Sequence, residues 1–296
     1  MRVVVLSRTG KVPSTRRLVE AARARGHHVR VIDPASLQLQ LGPSRGRLVR
    51  AWKRLKTPDL VIPRFAPAAA PFALPMVEQF AAQGAVVLNT ERAIAVSRHP
   101  IRCLMQLSSD GVPVPRTVLA RDARALKGLV PRVGGLPVLV KLVEVSEAPR
   151  VMLCESMQTL ESAVEAVVGL GHDVLMQESM RVGQRDIRLL VVGGRVIGAV
   201  EQILKPGRAG RNLSPPERLE PVTPRDSTIA LARKAAGRCG LEVCAVDVRE
   251  GTRAVVTAVH AAPNLLDFEP LDVATPIIVH GEQLVAEQTV QRRQGT

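Results

Sequence analysis

The first 34 residues place an amphipathic helix between two short apolar strands, and this order restricts the fold more than any other stretch of the chain. Residues 3–6 read Val-Val-Val-Leu, an apolar run that predicts a buried strand. Leu18 and Ala22 share one face of a predicted helix, which we expect Ser14 to cap. Residues 29–32 predict the second strand. A strand, a helix and a strand in this order form a unit with parallel strands, so the sequence predicts an α/β protein that opens with a parallel sheet.

The composition is that of a globular protein of about two domains. The chain has 296 residues, of which 46% are apolar and 23% charged. Its apolar runs fall short of the ~20 residues of a membrane span, and residues 3–6 are too few for the core of a signal peptide. The cysteines form no C-x-x-C pair, which favours buried reduced thiols over zinc: Cys103, Cys154, Cys239 and Cys244. We therefore expect a cytoplasmic protein with no membrane partner.

The chain carries a formal charge of +14, from 41 basic and 27 acidic residues. Codon usage in a GC-rich genome favours arginine and would explain the excess without any function. Whatever its origin, a surface of this sign attracts polyanions and acidic peptides. An acidic peptide or protein tail is therefore a candidate partner.

Basic residues are dense between Arg45 and Lys56. Leu48, Trp52 and Leu55 recur there at helical spacing. Basic side chains occupy other positions of the same stretch: Arg45, Arg47, Arg50, Lys53, Arg54 and Lys56. One interpretation is a segment that binds nucleic acid or an anionic surface. The other is a solvated helix or loop that docks through Trp52, and the sequence favours it because no set of aromatic side chains accompanies the charges.

Several common catalytic motifs are absent from the sequence. It contains no G-x-G-x-x-G, no P-loop, no G-x-S-x-G and no H-E-x-x-H. What it contains is an ordered series of strand-like and turn-like segments. In chain order they are Gly-Val-Pro-Val-Pro at 111–115, Leu-Pro-Val-Leu-Val-Lys-Leu-Val-Glu at 136–144, Met-Gln-Glu-Ser at 176–179, Asp-Ile-Arg-Leu-Leu-Val-Val-Gly at 186–193, Asn-Leu at 212–213, Ala-Val-Asp-Val at 245–248 and Ala-Val-His-Ala-Ala-Pro at 258–263.

In this order and spacing, the series resembles the ATP-grasp superfamily, and within it the RimK type of ribosomal-protein glutamate ligase. The resemblance extends from residue 2 to about 285, since residues 5–8, 32–34 and 61–64 are also similar to that type. It implies an ATP-grasp fold preceded by a parallel-sheet pre-ATP-grasp domain. We expect that N-terminal domain over residues 1–90, a first ATP-grasp subdomain over 91–179 and a second over 180–296.

The resemblance also implies a chemistry and a set of ligand-binding residues. In this family ATP phosphorylates a carboxylate, an amine displaces the acyl phosphate, and two Mg²⁺ ions neutralise the phosphates. The positions that match the nucleotide-binding pattern are Lys141 at the α-phosphate, Gln177, Glu178 and Ser179 at adenine, Asp186 and Arg188 at the ribose, and Arg211 and Asn212 at the phosphates. Asp247 matches the first metal ligand. These positions also have interpretations without a ligand. Lys141 would be an edge or surface lysine, Gln177 and Glu178 an ordinary strand end, Asp186 and Arg188 a surface ion pair beside a hairpin, and Asn212 a turn asparagine.

The departures from the family pattern fall on the phosphate and metal side. Ala258 and His260 stand where the family has a metal-binding glutamate and asparagine. Residues 145–150 replace a glycine-rich phosphate loop and contain no glycine. Arg98-His99-Pro100 replaces a stretch with a lysine, Ser214 to Glu217 replaces a basic loop end, and Asn264 replaces a glycine. Alanine cannot ligate a metal, and neutral imidazole is a poor ligand for Mg²⁺.

These departures support the hypothesis of a pseudo-ligase, a folded binding or scaffold protein with an incomplete Mg²⁺ site, no assigned catalytic residue and nucleotide binding left open. The alternative is a divergent, active carboxylate–amine ligase. In that case Asp247, His260, Asp267 and Glu269 would rebuild a site for a softer metal such as Mn²⁺ or Zn²⁺. A nucleic-acid-binding role of residues 45–56 is a third hypothesis, and homo-oligomers are left open.

Overall fold

The N-terminal region folds around a parallel sheet, as its opening predicts. A computed structural model describes residues 1–43, 46–122, 126–142, 151–169, 171, 173–179, 185–203, 216, 218–251 and 253–294. The strands of the N-terminal region are β1 (Arg2–Leu6), β2 (His28–Ile32), β3 (Gln38–Gln40), β4 (Arg47–Arg50), β5 (Lys53–Arg54), β6 (Leu60–Pro63) and β7 (Val86–Val87), and its helices are α1 (Pro13–Ala24) and α2 (Ala70–Ala82). The order β2-β1-β6-β7 is parallel throughout. The expected cap of α1 is wrong: Ser14 lies inside the helix and its hydroxyl donates to Asn264 instead.

The basic stretch forms strands, so the favoured interpretation of a solvated helix or loop is wrong for its described part, residues 46–56. Strands β3, β4 and β5 pair antiparallel, and a two-residue turn at Ala51 and Trp52 joins β4 to β5. The helical spacing of Leu48 and Leu55 has another cause, because the Leu55 amide donates to the Leu48 carbonyl at 2.9 Å across the hairpin. Leu48 is buried, whereas the Trp52 side chain is 95% exposed. Docking through Trp52 is therefore also wrong.

The middle region is an antiparallel sheet covered by helices. It contains α3 (Glu91–Arg98), α4 (Pro100–Ser109), β8 (Thr117–Ala120), α5 (Leu126–Leu129), β9 (Val138–Leu142), β10 (Val151–Cys154), α6 (Met157–Gly169) and β11 (Val174–Glu178). The strand order is β10-β9-β11-β8. Val138 and Val140 of β9 pack with Leu160 and Val164 of α6. Because side chains alternate along a strand, Lys141 lies on the opposite face of the sheet.

The C-terminal region contains a second antiparallel sheet. Its elements are β12 (Arg185–Val192), β13 (Arg195–Ile203), β14 (Arg218–Pro221), α7 (Asp226–Arg238), β15 (Val243–Glu250), β16 (Val255–His260) and α8 (Ala274–Gln294). The strand order is β14-β13-β12-β15-β16. Apolar segments on either side of Gly193-Gly194 and of Glu250-Gly251 predict hairpins at 186–202 and about 242–259, and the structure contains both. Gly193 and Gly194 turn the first of them with φ of 54° and 70°, a region that favours glycine.

The N-terminal and C-terminal regions share one core. Val3 and Leu60 of the parallel sheet belong to the same buried cluster as Leu190, Val243 and Ile278, and α1 packs against α8. The division at residue 90 stays a prediction, but the packing shows that the regions on either side of it are in extensive contact.

Two observations bear on the cellular setting. All four cysteines are buried and free, as expected for reduced thiols. Within the described residues, no helix combines the length and the apolar character needed to cross a membrane.

Candidate functional site

The carboxylate of Asp247 is the centre of a charged cluster on the C-terminal sheet. Arg188 donates to both of its oxygens, Nε to Oδ1 at 2.7 Å and Nη2 to Oδ2 at 2.9 Å. The Gln202 amide donates to Oδ1 at 3.2 Å, and His260 Nε2 lies 3.0 Å from Oδ2. Three strands converge here, because β12 pairs Arg188 opposite Asp247 and β16 pairs Ala258 opposite it from the other side. The family's glutamate position thus faces Asp247 with a methyl group.

The cluster continues toward the N-terminal region. Arg188 Nη1 donates to Asp267 Oδ2 at 2.7 Å, and the Asn264 amide donates to the other Asp267 oxygen at 2.6 Å. The Ser14 hydroxyl donates to Asn264 Oδ1 at 2.8 Å and accepts from the Leu265 amide at 3.0 Å. Hydrogen bonds therefore connect the start of α1 to the centre of the C-terminal sheet.

The charges within the cluster stabilise one another. Burial alone would raise the pKa of Asp247, but the charges of Arg188 and His260 and their hydrogen bonds hold it far below its ordinary value. Burial alone would lower the pKa of Arg188, and Asp247 and Asp267 raise it instead. The Arg188–Asp247 pair is thus ionised at neutral pH.

The cluster does not fit a magnesium ion. Mg²⁺ requires oxygen ligands with free lone pairs in near-octahedral positions. Both Asp247 oxygens accept from Arg188, Ala258 offers no oxygen, and Arg17 pairs with Glu269. Across the described parts of the chain, no group of three His, Cys, Asp or Glu side chains could hold a metal ion.

Lys141 of the middle region lies close enough to Asp247 and Arg249 for their charges to act on it. It lies on β9, between β10 and β11, and is therefore not on an edge strand. Burial and the charge of Arg249 together lower the pKa of Lys141 to about 8, and the charge of Asp247 partly opposes them. Among the described residues its ammonium group has no hydrogen bond or ion pair. Such a cation fits an anionic ligand, and the α-phosphate of a nucleotide is the group that the family pattern assigns to it.

The expected ribose-side carboxylate already has a partner. Asp186 forms a buried bidentate pair with Arg249, with Nε to Oδ1 at 2.7 Å and Nη2 to Oδ2 at 3.0 Å. Asp186 and Arg188 lie on the same face of β12, as predicted, and each is opposite a group of the other sign on β15. Asp186 is thus in an ion pair, as the interpretation without a ligand expects, but the pair is buried and does not lie on the surface.

The expected adenine-side residues lie at the end of β11. The Gln177 amide donates to Thr117 Oγ1 at 3.0 Å. Glu178 accepts from Arg116 Nε at 2.8 Å and lies 3.6 Å from Arg253. Ser179 follows directly and is half-buried. The Glu178 side chain therefore bridges the middle region and the β15–β16 hairpin.

The structure brings the predicted residues Arg188, Asp247 and His260 into direct contact. Asp186 lies two residues from Arg188 on β12, and the charge of Asp247 acts on Lys141. Arg211, Asn212 and the stretches 145–150 and 205–215 lie outside the described residues. Arg98, from the stretch that replaces a family lysine, donates Nη2 to the Phe65 carbonyl at 2.7 Å. Three features of the site were not predicted from the sequence: Gln202, Arg249, and the hydrogen bond between Asn264 and Ser14. Only Arg249 had a signal, its spacing from Asp247.

Two antiparallel sheets, attached to a parallel N-terminal sheet, are the architecture of an ATP-grasp protein with a pre-ATP-grasp domain. The chain belongs to the RimK-like family, since residues 1–94 match the RimK PreATP-grasp domain and residues 97–280 the RimK-like ATP-grasp domain. The predicted fold class and family are thereby confirmed.

Relatives of similar length agree with this assignment. A probable alpha-L-glutamate ligase of Serratia proteamaculans is 36% identical over 288 residues, with 96% of each chain covered. A ribosomal protein bS6--L-glutamate ligase of Salmonella schwarzengrund is 35% identical over 288 residues, covering 96% of this chain and 94% of that one. The ATP-grasp ligase PsnB, solved with a minimal precursor, Mg and ADP, shares the fold with a TM-score of 0.72 at 21% identity, with 97% of each chain covered.

Proposed function

We propose that this chain is a catalytically degenerate RimK-like protein, a binding protein for an acidic peptide or protein tail that keeps a nucleotide site and lacks magnesium-dependent ligase chemistry. The observation that carries the proposal is the closed environment of Asp247. Its two oxygens accept from Arg188, Gln202 and His260. A metal ion could bind there only by displacing a bidentate, charge-assisted pair, which is among the stronger hydrogen-bonded arrangements in proteins.

Other departures from the family pattern weaken the same magnesium-dependent phosphoryl transfer. Ala258 and His260 replace two oxygen-bearing side chains, and residues 145–150 contain no glycine to bring backbone amides close to a phosphate. Removal of one group that stabilises transition-state charge typically lowers the rate by ~10²–10³. Such losses are not additive, but together they leave little catalysis of phosphoryl transfer.

Nucleotide binding is retained in this proposal because of Lys141. The side chain is a half-buried cation without an ion pair among the described residues, at the position that the family uses for the α-phosphate. A phosphate there would supply the missing counter-charge.

The partner follows from charge and from the relatives. The net charge of +14 favours an acidic partner. The Salmonella relative is named for ligating L-glutamate to ribosomal protein bS6, and PsnB was solved with a precursor. A polypeptide with an acidic segment is consistent with both. We place the protein in the cytoplasm because its four cysteines are free and buried.

One observation favours the alternative of a divergent, active ligase. The chain is 35–36% identical to relatives named as glutamate ligases over nearly its whole length. In that case His260 and Asp247, with Nε2 and Oδ2 3.0 Å apart, would have to bind a metal softer than Mg²⁺.

Two experiments separate the two functions. The first is calorimetric titration with ATP, in Mg²⁺ and in EDTA. The second is an assay of amide-bond formation from L-glutamate and acidic acceptor peptides. The pseudo-ligase is expected to bind ATP with the same affinity in both buffers and to form no product with Mg²⁺ or Mn²⁺. Amide formation at an ordinary rate of ~1–10³ s⁻¹ would contradict the proposal.

A matched variant should gain magnesium-dependent binding of ATP. A258E/H260N restores the family's glutamate and asparagine beside Asp247, so its ATP affinity should become higher in Mg²⁺ than in EDTA. H260N alone removes the imidazole without adding a carboxylate and should remain independent of the metal. If the wild type itself needs Mg²⁺ for ATP binding, the closed Asp247 cluster opens in solution and the proposal is wrong.

A further inference from the structure

The β4–β5 hairpin presents a tryptophan and several cations to solvent. Trp52 occupies the second position of the two-residue turn, with its side chain 95% exposed. Leu48 and Val49 of β4 are buried, so the hairpin is anchored on α2 by its other side chains. The indole therefore contributes nothing to the core.

The backbone of the turn is strained by the residues that occupy it. Ala51 has a φ of 47° and Trp52 a φ of 64°. Turns of this kind match the twist of the strands but place both residues in the left-handed region, where Asn and Gly are preferred. A bulky side chain at the second position is unfavourable for folding. Because the Trp52 ring is exposed, its burial does not offset that cost.

The charges beside the turn are unfavourable as well. Arg50 lies directly opposite Lys53 in the strand register, and a like-charged pair at such positions is destabilising. Residues 34–58 contain no Asp or Glu. The exposed cations of the described hairpin are Arg47, Arg50, Lys53, Arg54 and Lys56.

We propose that the β4–β5 hairpin is a binding surface for single-stranded nucleic acid, with a base stacked on Trp52 and the backbone phosphates held by Arg50, Lys53 and Arg54. Planar rings and a repeated negative charge occur together in this class of ligand, and they match the two chemical features of the tip. The proposal reverses the sequence-based preference for a docked Trp52. It is independent of the nucleotide site and of the proposed function.

Two other anionic partners fit the tip less well. An acidic peptide supplies carboxylates but no planar ring for the indole unless its sequence happens to contain one. A membrane would need a continuous apolar face. The next exposed large apolar side chain, Leu41, lies beside Gly46 at the opposite end of β4, and charged residues separate it from Trp52.

The composition makes Trp52 a reporter of its own site. The chain has one tryptophan and no tyrosine, so fluorescence excited in the indole band comes from the hairpin tip. Titration with an oligouridylate of about 12 nucleotides should quench this emission. The logarithm of affinity should fall with the logarithm of salt concentration with a slope of about −2, as expected for three cations on a single strand.

Variants decide whether the hairpin is responsible. Anisotropy of a labelled oligouridylate should show W52G binding weakened by about 5- to 100-fold, the range expected for loss of one stacked base. Glycine is favourable at φ of 64°, so the hairpin of W52G should be at least as stable as in the wild type. W52F should keep part of the affinity.

A charge-matched comparison completes the test. R50Q/R54Q should weaken binding, while R23Q/R30Q removes the same charge from exposed positions on α1 and β2 and should leave the affinity within about twofold. Equal losses in the two double variants would overturn the proposal, as would unchanged binding by W52G. So would an indole response to poly-L-glutamate or to phosphatidylglycerol vesicles in the absence of a response to oligouridylate.

Discussion

Arg188 holds both carboxylate oxygens of Asp247, at 2.7 Å and 2.9 Å, across adjacent antiparallel strands. A second pair of the same kind, Asp186 with Arg249, lies two residues along the same strands. The two pairs are related by sequence, since Asp-Ile-Arg at 186–188 runs antiparallel to Asp-Val-Arg at 247–249. Each aspartate therefore meets the arginine of the other motif, and the centre of the sheet is electrically neutral without a metal ion.

Replacement of Asp247 should destabilise the fold. D247N leaves the partly buried Arg188 with Asp267 as its one carboxylate partner among the described residues, and removal of one member of a buried pair costs about 3 kcal/mol. Urea denaturation measures the loss. E220Q is a control in which the partner is the exposed Arg218, and it should change the free energy of unfolding by less than about 1 kcal/mol. Similar effects of the two substitutions would mean that the Asp247 pair is open to solvent.

The same pair predicts how stability depends on pH. The pKa of Asp247 is depressed in the folded protein, so its contribution is fully present above the ordinary value of 3.8. The contribution is lost as the pH falls below that value toward the folded pKa, because the unfolded state then binds the extra proton. The difference in unfolding free energy between wild type and D247N should therefore be constant from pH 7 to about pH 5 and shrink at lower pH. A difference that grows on acidification would contradict this sign.

Asn89 joins the N-terminal region to the C-terminal sheet. Its side chain accepts from the Val243 amide at 2.9 Å and donates to the carbonyls of Val243 and Ala261 at 2.7 Å and 3.0 Å. N89A leaves buried backbone groups without partners and should lower the free energy of unfolding by about 2–4 kcal/mol. T289A removes an exposed side-chain bond to Val285 on α8 and should change it by less than about 0.5 kcal/mol. Equal thermal stability of N89A and wild type would show that water replaces the amide.

The elements that could be predicted are those with a local cause. Residues 3–6 and the hairpin at 186–202 follow from apolar period and turn glycines, which act within a few residues. The error at 46–56 has the same origin, because Leu48 and Leu55 are seven residues apart. That spacing fits two helical turns and equally fits neighbours across a hairpin with a two-residue turn. Only the pairing with β3 decides between them, and it is not local.

The site was predictable in part for a similar reason. Lys141, Asp186 and Asp247 could be singled out because the family resemblance names their positions. Arg249 could have been found from the second Asp-x-Arg motif, but its pairing with Asp186 depends on the register of strands 63 residues apart in sequence. The roles of Ser14 and Asn264 depend on contacts across 250 residues, and no pattern near either residue signals them.

Lys141 offers the clearest prediction for the nucleotide site. Its pKa of about 8 means that the free protein holds the ammonium form only below that pH. Affinity for ATP should therefore fall as the pH rises through about 8 in the wild type, with proton uptake on binding above it. K141M should bind ATP about 10- to 100-fold more weakly, the range for loss of a hydrogen bond to a charged group, and its affinity should not change between pH 7 and 9.

K141M weakens ATP binding but should stabilise the nucleotide-free protein. The folded pKa of Lys141 lies below the unfolded value of 10.5, so the charged form is disfavoured by the fold. K141M should raise the melting temperature at pH 7, and the advantage over wild type should shrink between about pH 8 and 10.5 as the wild-type lysine loses its proton. K11M, at an exposed lysine, should change neither ATP affinity nor stability. If K141M lowers the melting temperature and leaves ATP binding intact, Lys141 is a structural residue and the nucleotide lies elsewhere.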